Sequence, residues 1–298
     1  MSLDSPSGAA RAAAPEDWAP SEHELARRAA RRAQNLRRVV VAGVSSVVVI
    51  GAIVGLVLTS SGWPVVQSTF FDVSYGWSVV PAIWEGFKLD LLLVVVSTVF
   101  IAIMSMLLAL TRTSRSAALA PFRGLATVYV DIFRGIPILL VIYLIGFGIP
   151  ALDLPVISGA DVAVLGTAAL VVTYSAYVSE VIRSGVLSVH PSQRAAARSL
   201  GLSPGQTMRH VVMPQALRRV VPPLLNDFVS LLKDVSLISV LGVVEGVRQA
   251  QIEASLTFNY TPYVVVAVMF LIVTVPLTRL TDWVLARSIA RQNAQGTA

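Results

Sequence analysis

Gln193–Gly205 read QRAAARSLGLSPG. Pro191 suits the first position of a helix, Ala195 to Ala197 have high helix propensity, and Gly201 fits a helix stop. Ser203 with Gln206 three places later makes a capping box, and Pro204 takes the first turn of the next helix. The stretch therefore predicts two short helices at a bend. It lies between residues 162–179 and 220–243, two runs apolar enough for a membrane. A helix-turn-helix held at both ends against a bilayer reads as a docking surface for a protein partner.

The rest of the chain agrees with that setting. Of its 298 residues 55% are hydrophobic and 13% charged, against about 25% charged in a soluble domain, and the mean hydropathy is +0.73. The composition is that of an integral membrane protein. No cysteine occurs, which excludes disulfides, thiolate nucleophiles and cysteine metal sites. The net charge of +6 resides in the segments between apolar runs.

Those runs cover residues 39–60, 91–110, 136–152, 162–179, 220–243 and 263–277, each approaching the roughly 20 residues that cross the hydrocarbon core. The expected fold is all-α, an integral membrane bundle of about six transmembrane helices with a cytoplasmic helix pair. Residues 1–38, rich in Ala, Pro, Ser and Arg and ending in RRAARRAQNLRR (Arg27–Arg38), read as a disordered basic tail. The run at 39–60 is too long and too late for a cleaved signal peptide and reads as a retained helix. Residues 61–85 read as an extracytoplasmic segment, 86–290 as the core and 291–298 as a tail.

Arginine sets the orientation. Six Arg lie in the twelve residues ahead of the first run, Arg112, Arg115, Arg123 and Arg134 follow the second, six more lie in 180–219, and Arg279, Arg287 and Arg291 follow the last. Residues 61–87 and 151–161 hold Asp72, Glu85, Asp153 and Asp161 and no Lys or Arg. Both termini are expected in the cytoplasm.

The fifth run contains PPLLNDFVSLLKDVSLISVLG, with Asn226, Asp227, Lys233 and Asp234 in otherwise apolar sequence. Asp227 and Asp234 are two helical turns apart and share a face. Charges at membrane depth cost about 2.5–3.5 kcal/mol each on insertion scales, so they face a bundle interior or polar cavity; the alternative is that this part of the helix stays in the cytoplasm. Glu180 and Arg183 are either a structural pair one turn apart or, with the two aspartates, parts of a site for a zwitterion.

Other functions are excluded on chemistry. The only lysines, Lys88 and Lys233, are followed by Leu89 and Asp234, so no P-loop exists and ATP must bind another polypeptide. His23, His190 and His210 form no metalloprotease pattern, and there is no nucleophile elbow, so no catalytic or metal residue is assigned. A DNA-reading helix pair is disfavoured because the second helix offers only Arg209 and His210 before an apolar stretch, and no nucleic-acid partner is expected. An ion channel lined by the polar fifth span stays open as an alternative on composition, and the cytoplasmic helix pair discriminates, because a passive pore needs no such dock.

Ala195, Ala196, Ala197 and Gly201, followed by LGLSPGQTMRHVVMPQALRRVVPPLLNDFVSLLKDVSLISVLGV and preceded by AYVSEVIRSGVLSVHPSQ and VDIFRGIPILLVIY, resemble one known family. It comprises the inner-membrane permease subunits of ATP-binding-cassette importers of the polar amino acid type. The resemblance covers roughly residues 86–290. It implies an amino acid permease without cofactor, working by alternating access. Ala195, Ala196, Ala197, Gly201 and Leu202 would form the coupling helix seated in a groove of a cytoplasmic ATPase that binds ATP and magnesium. It further implies a second permease copy or related permease, an extracytoplasmic solute-binding protein, a bacterial inner membrane, and substrate contact at Asp227 and Asp234. Another small solute, an opine, ectoine or osmolyte, is the alternative. Three positions depart from the family pattern: Ala195 stands for Glu, Ser192 for Gly and Val235 for Thr.

Overall fold

The computed structural model describes residues 21–114, 116–155 and 157–296, and the regular structure in them is helical. α1 (Glu22–Leu58) starts at Ser21, whose hydroxyl accepts from the Glu24 N–H. Residues 1–64 form a unit of their own. From Val39 to Leu58 every residue of α1 is exposed, the pattern of a helix apolar all round that faces lipid. The basic segment expected to be disordered is helical from Glu22 onward. Ala and Arg are strong helix formers, and the apolar run supplies a nucleus from which the helix propagates. Residues 1–20 of the expected tail lie outside the described residues.

The second unit begins at Val65. α2 (Trp63–Phe70) leads to α3 (Val73–Thr113). Asp72 caps α3 by accepting from the Tyr75 N–H at 3.0 Å, while its own N–H donates to Thr261 Oγ1 at 3.1 Å. The segment expected ahead of the core is thus helical and belongs to it: Val79 and Ile83 are buried with Ala250 and Val266. The compact unit that holds these side chains starts at Val65.

α4 (Ala120–Gly135) and α5 (Ile138–Ala151) meet at 108°. Between them Ile136 is extended, as the residue before Pro137 prefers. α6 (Val162–Leu187) packs against α3, α4 and α5. After it come α7 (Pro191–Ser199), α8 (Pro204–Thr207), a π-helical turn over Met208–Val212, and α9 (Met213–Asp234), which returns along α6. The expected fifth run is not one helix. α9 ends at Asp234, Val235–Leu241 tighten into a 3₁₀ segment, and Gly242 turns the chain at φ 92° before α10 (Gly246–Thr257) and α11 (Thr261–Gly296).

Among the described residues four helical stretches are long and apolar enough to cross a membrane, and the bent α4–α5 pair makes a fifth. α9 falls outside that set because Arg218, Arg219, Asp227, Lys233 and Asp234 interrupt it. The main core joins Val94 and Ile101 of α3, Ile142 of α5, Leu170 and Tyr174 of α6, Leu232 of α9 and Ile238 of the 3₁₀ segment. Small residues set the spacing. At Gly185 a Cβ would overlap the Val220 side chain, so α6 and α9 approach there only because the side chain is missing.

Candidate functional site

Two regions carry the chemistry, one at the α7 turn and one between α3, α6 and α9. α7 begins at His190, whose Nδ1 accepts from the Ser192 N–H at 3.2 Å. It ends where the Gly201 N–H donates to the Arg198 carbonyl at 3.0 Å and the Leu202 N–H to the Ala197 carbonyl at 3.2 Å. This is a Schellman stop, and it requires the left-handed Gly201, at φ 81°. The capping box forms as expected, with the Gln206 N–H donating to Ser203 Oγ and the Ser203 N–H to Gln206 Oε1.

One face of α7 is turned into the protein. Ala197 is 4% exposed. Arg194 points inward: its Nη2 donates to the Val186 carbonyl of α6 at 2.5 Å, and its Nε is buried. Gln215 of α9 donates to Gln193 Oε1 at 2.7 Å, and Arg219 donates to the Ser188 carbonyl. Beneath them Val186, Val189, Val212 and Ala216 form a small apolar core with Met208. α7 is therefore held to both α6 and α9. The opposite face presents Ala195, Ala196 and Ser199, and Gly201 lies exposed beyond it. Leu200, which the sequence reading passed over, is 84% exposed. A leucine at the end of an otherwise polar short helix was the available signal. Of the five residues expected to couple, Ala195, Ala196 and Gly201 are outward, Leu202 is half-buried, and Ala197 supports the helix from within.

The second region surrounds Asp227. A cavity of about 220 Å³ is lined by Thr98, Ser105, Tyr174, Asp227 and apolar side chains of α3, α6 and α9, including Ile182 and Phe228. Asp227 Oδ2 is buried there without a hydrogen-bond partner. Tyr174 also donates its hydroxyl to Asp234 Oδ2 at 2.7 Å. The shared face expected of Asp227 and Asp234 is present, with Tyr174 of α6 meeting both the cavity and Asp234. Lys233 is exposed.

Glu180 and Arg183 stand elsewhere. Glu180 accepts from Arg183 Nε at 3.0 Å and Nη2 at 2.5 Å, and from Arg112 Nη1 of α3 at 2.7 Å. Neither lines the Asp227 cavity. Arg112 entered the sequence reading only as one of the orienting charges, since nothing local joins it to a carboxylate 68 positions away. The triad ties the end of α3 to α6.

Comparison with known proteins agrees with this arrangement. Residues 112–289 match the model of the binding-protein-dependent transport system inner membrane component family. The chain is 32% identical over 218 residues to the probable amino-acid ABC transporter permease protein PatM of Vibrio harveyi, covering 73% of this chain and 96% of that one. It is 33% identical over 216 residues to the glutamine transport system permease protein GlnP of Escherichia coli K12, covering 70% and 93%. Among solved structures, that of an amino acid ABC transporter with histidines superposes with a TM-score of 0.64 at 30% identity, over 72% of this chain and 98% of that one. The methionine transporter MetNI, in an inward-facing conformation, shares the fold with a TM-score of 0.54 at 19% identity. With α7 pinned between two helices that line a membrane cavity, and with these matches over most of its length, the chain belongs to the family of binding-protein-dependent transport system inner membrane components.

Proposed function

We propose that the chain is the permease subunit of an ATP-driven amino acid importer of a bacterial inner membrane, with both termini in the cytoplasm. The observation that carries this reading is mechanical. The face of Ala195, Ala196 and Leu200 is outward, while the same short helix is bonded to α6 through Arg194 and to α9 through Gln193. α6 supplies Tyr174, Val178 and Ile182 to the cavity, and α9 supplies Leu224, Asp227 and Phe228. A partner ATPase that moves α7 on binding ATP and magnesium moves both walls of the cavity, as alternating access requires. The similarity to amino-acid and glutamine permeases supports amino acids as substrates. A bare, buried carboxylate oxygen at Asp227 suits the ammonium group that every amino acid carries.

Glu180 and Arg183, saturated by each other and by Arg112, act as a structural tie in this reading. The remaining partners are a second permease copy or related permease and an extracytoplasmic solute-binding protein. Purification of the detergent-solubilised chain from its own cells, with mass spectrometry of the accompanying proteins, tests the reading. Recovery of an ABC-type ATPase and a solute-binding protein that retains an amino acid is the expected result. Recovery of the chain without an ATPase overturns it.

A further inference from the structure

Asp90 of α3 and Glu245, the residue that caps α10, are both 0% exposed. Their backbones approach closely because two glycines permit it. A Cβ on Gly86 would lie 2.7 Å from the Glu245 carbonyl carbon and oxygen, and one on Gly246 would lie 2.9 Å from Asp90 Oδ2.

The hydrogen bonds of the pair are unequal. Glu245 Oε2 accepts from the Val247 N–H and Oε1 from the Arg248 N–H, each at 2.8 Å. Both of its oxygens thus face the positive end of α10, which favours an ionised carboxylate. Asp90 Oδ2 accepts from the Gly246 N–H at 3.0 Å. Asp90 Oδ1 is buried and has no N–H or hydroxyl donor, and the two carboxyls accept from consecutive N–H groups of one helix turn, those of Gly246, Val247 and Arg248.

Among the described residues no cation balances the pair. Lys88 pairs with Glu85 at 2.6 Å on the exposed side of α3. Arg248 turns its guanidinium to Gln251 Oε1 at 2.6 Å, and Glu253 accepts from Gln249. From α11 the neighbours are apolar, with Val266 against Gly246 and Phe270 edge-on to Phe87. Two carboxylates pressed together without a cation repel strongly, whereas a carboxyl and a carboxylate form a short charge-assisted hydrogen bond.

We propose that Asp90 and Glu245 form a binding site for one resident proton, carried on Asp90 Oδ1 and donated to the Glu245 carboxylate. The site clamps the first turn of α10 to α3 within the membrane bundle. One proton and one negative charge remain on the pair, and that charge lies against the helix N-terminus that stabilises it.

Infrared spectroscopy of the full chain in lipid nanodiscs tests this. Aspartate labelled with ¹³C in its side-chain carboxyl should shift a protonated carboxylic-acid stretch in the wild type. That band should persist in D227N, which removes the half-buried aspartate of α9, and vanish in D90N. Absence of any labelled carboxylic-acid band in the wild type overturns the proposal, and so does a band that survives in D90N. Thermal unfolding supplies an independent readout. Asn at position 90 keeps an acceptor for the Gly246 N–H and offers an N–H to Glu245, so D90N should melt with the wild type. D90L keeps neither and should melt lower by about 4 °C or more. Equal melting of D90N and D90L, at any temperature, rejects the proton bridge.

Discussion

Truncation of Leu200 separates docking from folding. The side chain is 84% exposed, so Leu200→Ala removes almost nothing from the packing of the free chain, and its folding stability should change by no more than about 0.5 kcal/mol. If α7 seats in a partner, that same side chain becomes buried on binding. Three carbons are lost, each worth about 0.8 kcal/mol when fully buried, and scaling by the exposed fraction gives about 2 kcal/mol. That corresponds to a roughly 30-fold weaker association with the ATPase, at about 1.4 kcal/mol per tenfold. The assay is titration of the purified ATPase against the permease in nanodiscs, alongside thermal unfolding of the permease alone. Affinity within threefold of wild type, with unfolding unchanged, would refute the assignment of this face to the partner. A large fall in unfolding temperature would show instead that Leu200 packs within its own chain.

Other perturbations act on different parts of the same device. Arg194→Ala removes the bond from α7 to the Val186 carbonyl. It should leave ATPase binding near wild type while lowering the hydrolysis stimulated by the solute-binding protein, and unchanged stimulation would argue against α7 acting through α6. Asp227→Asn should reduce uptake in reconstituted vesicles by tenfold or more, about the worth of one charge-assisted hydrogen bond, with ATPase association intact; undiminished uptake returns Asp227 to a structural role. Gly185→Ala drives a Cβ into the Val220 side chain and should destabilise the chain by about 1–3 kcal/mol. Pairing it with Val220→Ala should restore the unfolding temperature, and failure to do so would mean that the α6–α9 spacing is set elsewhere. A reporter active only outside the cytoplasm should score when fused at Gly159 and stay silent at Gly205; the reverse would invert the orientation drawn from the arginine distribution.

Local sequence determined the local structure here wherever a few neighbouring residues suffice. The stop at Gly201, the capping box of Ser203 and Gln206 and the start of α7 at Pro191 depend on backbone groups within five positions of one another, and each could be read directly. Hydropathy determined the membrane class and located five of the apolar runs within helices, because lipid leaves a backbone no alternative to internal hydrogen bonding. The seven-residue interval puts Asp227 and Asp234 on one face of α9 because seven residues make close to two helical turns.

Tertiary structure alone decided the rest. Ala195 and Ala197 are the same residue type two positions apart, and only the packing of α7 on α6 and α9 turns one outward and the other inward. Arginine side chains are usually solvated, yet Arg194 is turned inward, where the Val186 carbonyl at the end of α6 offers a fixed acceptor. The end of α9 at Asp234 belongs to this group too, since apolar residues continue to Val243 and the turn follows from the packing of Ile238 and Leu241 against α5 and α6. Asp90 with Glu245, and Arg112 with Glu180, are partners far apart along the chain. A sequence shows that a carboxylate is buried only through its immediate neighbours. Which charge or helix end meets it across the bundle depends on how close the helices come, and here glycines such as Gly86 and Gly185 set that distance.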